Sequence, residues 1–164
     1  MEDDLPSAGL SRDLLIAIGC LVVQWGSLES TLNSHLRILL AQPVAAEYRP
    51  DNRRLAFAKR LDLYRKLASV FYHGKALKAA ELACRMISEV KDEREWLAHG
   101  AISQLHDGQL FAVRVDDAMT EPRTDEDRPV DIEFILQAAR VMEAARLEMV
   151  RAYSSVMRDL RPDA

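Results

Sequence analysis

The sequence predicts an all-α fold: an antiparallel four-helix bundle with a β-hairpin inserted between its third and fourth helices. Three observations carry that expectation. Apolar residues recur at three- and four-residue steps over four long stretches, the spacing that lines one side of an α-helix. The composition is 49% hydrophobic but only 6% aromatic, with six Gly and six Pro, which suits helices better than a strand-rich fold. A single stretch, about residues 101–115, alternates with period two around Asp107-Gly108, a dipeptide favoured in two-residue hairpin turns.

In chain order, residues 1–10 open with Met1-Glu2-Asp3-Asp4 and read as a disordered acidic leader. Residues 11–161 read as one domain, large enough to bury a core without disulfides or metal. Ser11 is placed to cap a first helix over about 12–41, which Gln42-Pro43 ends. Its inner row is Leu15, Ile18, Val22, Trp25, Leu32, Leu36 and Leu39, interrupted by the single charge Glu29. Leu14, Leu21 and Leu28 form a second row with His35, which reads as a core histidine hydrogen-bonded to backbone. The seam nearly repeats every seven residues, which suits antiparallel packing or the pairing of two such helices across a dimer.

A second helix is expected over about 52–73, capped by Asp51 or Asn52, with Phe57, Leu61, Tyr64, Ala68 and Phe71 inside and Gly74 as its stop. The third helix covers about 75–99. The hairpin and an acidic, turn-rich loop over 116–129 follow. Asp131 then caps a last helix of about 131–160, with Ile135, Ala138, Met142, Ala145, Met149, Ala152, Val156 and Leu160 inside.

The net charge of −4 gives no electrostatic case for a nucleic-acid coat or a membrane-surface binder. Local imbalance is larger. Between Arg49 and Lys66 seven basic residues face two acidic ones, and Arg53, Arg54 and Lys59 are the candidates there to hold phosphate. A solvated helix face is the plainer reading of that run. The start lacks the basic flank of a signal peptide, and the run Leu14 to Val23 is about half a bilayer span, so a cytoplasmic protein with no membrane association is expected. Cys20 and Cys84 lie in apolar helical patterns and read as buried, reduced thiols. His35, His73, His99 and His106 have no metal-ligand spacing, and neither metal nor cofactor is expected.

The chemically pointed stretch is Lys91-Asp92-Glu93-Arg94-Glu95-Trp96-Leu97-Ala98-His99-Gly100. Ala83, Ile87, Val90 and Leu97 share one helix face, and Arg94 falls on it between Val90 and Leu97. A guanidinium stays charged and is costly to bury alone. Either an acidic partner or an anionic ligand must meet it. In an up-down bundle the first and third helices run parallel, so Glu29 could be that partner, the two forming a structural ion pair. Trp96 beside it reads as a core or interface anchor.

An Arg followed after four residues by His at the close of a long helix resembles the Arg-x4-6-His motif of the HEPN superfamily. The resemblance extends over about residues 12–160, through Trp25 and Glu29 on the first helix, Phe57 and Lys59 on the second, and the Leu97-Ala98-His99-Gly100 ending. It implies a helical bundle that forms a homodimer, with two copies of Arg94 and His99 at a shared cleft. It further implies metal-independent cleavage of RNA of the toxin or defence type, with an antitoxin-like protein as a partner. His99 would then move protons and Arg94 would hold the phosphate, oriented by Glu29. Glu95 stands where the nucleases of the superfamily carry a neutral polar residue. Its charge belongs to the other reading, a non-catalytic HEPN-like interaction module.

Overall fold

The computed structural model describes residues 10–49, 55–104, 110–114, 128–129 and 131–159, with side chains described at 10–49, 55–91 and 131–156. It is all-α in class. Helices α1 (Arg12–Leu40), α2 (Phe57–Phe71), α3 (Gly74–His99) and α4 (Ile132–Asp159) are joined by a 3-10 helix, Pro43–Tyr48. Between α3 and α4 lie β1 (Gly100–Gln104), β2 (Leu110–Arg114) and the two-residue β3 (Arg128–Pro129). β1 and β2 pair antiparallel with Gly100 opposite Arg114 and Gln104 opposite Leu110, and β2 pairs with β3. The turn at Asp107-Gly108, the acidic leader up to Gly9 and most of the acidic loop lie outside the described residues.

Local chemistry sets the helix boundaries. The Ser11 hydroxyl accepts from the Leu14 N–H at 3.2 Å, satisfying one of the free donors at the start of α1. Asp131 does the same for Glu133 N–H at 3.0 Å at the start of α4. α2 starts at Phe57, too late for Asp51 or Asn52 to cap it; Ala56 stands at the cap position with no side-chain hydrogen bond. Gly74, at φ +55°, turns the chain from α2 into α3, a conformation in which a Cβ is strained.

The core is one cluster shared by all four helices. α1 contributes Leu14, Ala17, Leu21, Trp25, Leu28, Leu32, His35, Leu36 and Leu39. This corrects the row expected for the N-terminal half of α1, because Leu15 (43% exposed) and Val22 (61%) face outward while the Leu14–Leu21–Leu28 row is inside. Cys20 is likewise exposed, not buried, whereas Cys84 is buried. α3 contributes Ala76, Ala80, Ala83, Cys84, Ile87 and Val90, and α4 contributes Ile135, Ala138, Ala139, Met142, Ala145, Met149 and Ala152. The many alanines let α3 and α4 approach closely.

The helix directions differ from a simple up-down bundle. Phe57 lies on Trp25, Arg60 bonds to Glu29 and Asn33, and Tyr64 lies beside His35, so α2 runs parallel to α1. His35 also stacks on Tyr153, near the C-terminal ends of both helices. Since α1 is buried from Leu14 onward and α4 from Ile135 onward, only a parallel arrangement gives both inner faces a partner. α3 alone runs the other way. The connection from Ala41 to Ala56 makes this feasible: its sixteen residues, six of them in the 3-10 helix, can still reach about 45 Å, whereas the return from Leu40 to the level of Trp25 is about 22 Å. The expectation that α1 and α3 run parallel is thereby corrected.

α1 is also long and apolar enough to cross a bilayer, with a mean hydropathy of 1.4 over its best window, a measure that core helices of soluble proteins pass too.

Candidate functional site

Two clusters carry the charged and titratable groups of interest. The first is on α1 and α2. The Arg60 guanidinium donates to Glu29 Oε1 and, at 2.6 Å, to Asn33 Oδ1. Its flat carbon lies 5.7 Å from the centre of the Phe57 ring, and that ring lies 4.4 Å from the ring of Trp25. Glu29 and Asn33 are one turn apart on α1, so a forked cation can bridge them in a way an ammonium cannot. The side chains of Arg60 and Glu29 are 20% and 33% exposed, so the pair is half-sheltered and not sealed.

Glu29, the carboxylate expected to meet or orient Arg94, therefore faces α2 and meets Arg60. The signal for Arg60 was present in the sequence. On a helical wheel it falls about 60° from Phe57 and 40° from Tyr64, on the edge of the buried face, although it also belongs to the basic run between Arg49 and Lys66. Lys59, one residue earlier, is exposed. Beyond the ion pair an open groove of about 430 Å³ runs along α1, lined by Gly26, Glu29, Ser30, Asn33, Ser34 and Arg37.

The second cluster is the end of α3. The helix runs through His99, and Gly100 begins β1, so Arg94 and His99 both belong to its last two turns. Their side chains, and those of Glu95 and Trp96, lie outside the described residues, as do Arg53, Arg54 and His106 altogether. On the backbone Arg94 continues the line Ala76, Ala80, Ala83, Ile87 and Val90, all of them buried.

His35 is a core residue, 6% exposed, whose ring stacks on Tyr153 at 4.6 Å. Its Nδ1 has no hydrogen-bond partner among the described residues. Burial pulls its imidazole down to about 4, and the ring is neutral near pH 7. Burial also raises the Tyr64 phenol, takes that of Tyr72 to about 12 and takes the Cys84 thiol to about 11. A thiol so shifted is a packing group, not a nucleophile. Among the described residues no three His, Cys, Asp or Glu side chains group as metal ligands.

Fold and site together define a mainly helical domain with a half-sheltered Arg–Glu–Asn cluster and an Arg-x4-His helix end. No family profile, curated protein or solved structure matches this chain.

Proposed function

We propose that this chain is a HEPN-like four-helix domain, with a β-hairpin inserted before its last helix, that works as a cytoplasmic homodimer and cleaves RNA without metal. The observation that carries the reading is the end of α3 at His99, which leaves Arg94 and His99 in the last two turns beside the start of β1. An imidazole ordinarily ionises near pH 6.5, which suits proton transfer near neutrality.

In the reaction the 2'-hydroxyl attacks the adjacent phosphorus as its proton is removed. The bond from phosphorus to the 5'-oxygen breaks, and the leaving oxygen takes up a proton. His99 handles protons, and Arg94 binds the phosphate and offsets its developing charge. Lys59, Arg53 and Arg54 are the further basic residues that would offset phosphate charge on the RNA. A toxin or defence role, held in check by an antitoxin-like protein, fits such an activity.

Purified protein is expected to cut mixed RNA in excess chelator, leaving cyclic-phosphate ends. His99→Ala and Arg94→Ala should each slow cleavage by at least about 100-fold. RNA left intact by the parent protein removes the reading.

A second reading, a non-catalytic HEPN-like interaction module, is favoured by Glu95 beside Arg94 and by the net charge of −4, both of which oppose phosphate binding. The structural ion pair of that reading now involves Glu29 and Arg60.

A further inference from the structure

The outward face of α1 is apolar and uncharged to a degree that its place in the bundle does not explain. From Leu14 to Leu28 the sequence holds no charged residue, yet Leu15, Ile16, Val22 and Val23 are 43, 53, 61 and 65% exposed. Gly19 and Gly26 lie on the same face, and a Cβ built on either would meet no atom within 4 Å. A glycine inside a helix costs stability relative to alanine. Nothing among the described residues of a single chain requires either one.

The spacing along this face is a heptad seam. Leu15, Gly19, Val22 and Gly26 follow one another at steps of four, three and four. When two copies of α1 are laid antiparallel about a twofold axis passing between Cys20 and Leu21, each large residue meets a glycine. Leu15 falls opposite the partner's Gly26, and Val22 falls opposite the partner's Gly19. Parallel pairing would instead oppose Val22 to the partner's Val22 and Gly19 to the partner's Gly19, alternating crowded layers with voids.

We propose that the outward face of α1 is the contact between two copies of this chain, packed antiparallel about a twofold axis at Cys20–Leu21. Ile16 and Val23 flank the seam, and the glycines admit the closest approach of the two backbones. This names the surface for the homodimer of the proposed function, but it rests on α1 and on no catalytic step.

The test is sedimentation equilibrium of the full chain at micromolar concentration, with circular dichroism to show each variant folded. The parent should sediment at twice its chain mass of 18.5 kDa. Gly19→Val overfills the notch opposite the partner's Val22, and Val22→Glu buries a charge; each should weaken association by at least about tenfold. Both sites are exposed in one chain, so folding should survive. The double variant Gly19→Val/Val22→Gly exchanges large for small in the same layers and should recover the dimer. A monomeric parent, or single variants that remain dimers, overturns the proposal. So does a parent that floats with phosphatidylcholine vesicles and is monomeric without them, which would make lipid the occupant. A dimer that leaves RNA intact removes only the ribonuclease, whereas a monomer that cuts RNA removes only this interface.

Discussion

His35 links packing to pH in a way that can be measured. In the unfolded chain it takes up a proton near 6.5, but in the folded protein burial holds that back to about 4. Between those values the unfolded state binds more protons, so stability falls as pH drops through the window and is unaffected by this group above it. The loss should reach at most about 3 kcal/mol near pH 4. Urea melts at pH 7.5 and 4.5 should show a smaller pH-dependent loss for His35→Phe than for the parent; equal losses would show that His35 is not the group responsible. The Arg60 bridge has its own signature. Arg60→Ala should cost about 1–2 kcal/mol, since it strands a half-sheltered carboxylate and an amide. Arg60→Lys should recover only part of that, because an ammonium cannot fork between Glu29 and Asn33. At Gly74 an alanine should cost about 1 kcal/mol for the left-handed backbone alone.

At the scale of the element, α1 and α3 divide the work between two kinds of surface. α3 packs on α4 and buries Ala76, Ala80 and Ala83 in the shared core. Ala80→Leu should overpack that contact and cost about 1–3 kcal/mol, read as a lower urea midpoint at unchanged slope. From Leu14 to Val23 α1 is apolar all round, and only one side is buried against the described residues of the chain. The periodicity of α1 was plain in the sequence, but it could not say which of two adjacent rows was inside. A helix apolar on both sides has no amphipathic direction to read. Its Leu14 row won because α4 and α2 come at it from that side. The same ambiguity put Cys20 in the expected core, whereas Cys84, on a helix with one apolar stripe, was placed correctly.

For the molecule as a whole, the decisive feature is that α1, α2 and α4 point one way and α3 the other. Spin labels at residues 34 and 154, in a chain with Cys20→Ser, should therefore lie roughly 10–20 Å apart, set by neighbouring helix axes. An antiparallel α1–α4 pair would separate them by about 24 Å along the helix axes. The arrangement also explains the partner of Glu29. With α2 laid alongside α1 in the same direction, Phe57 meets Trp25 and Arg60 arrives one turn later at Glu29.

The sequence by itself determined the all-α class, the helix starts at Ser11 and Asp131, the turn at Gly74 and the inner faces of α3 and α4, because each is fixed by local spacing or by a side chain bonding its own backbone. Only the tertiary structure decided the direction of α2 and α4, the outward turn of Leu15, Val22 and Cys20, and the pairing of Arg60 with Glu29. Those depend on which elements meet across long connections, and the spacing of residues within one helix holds no information about the helix that will lie beside it.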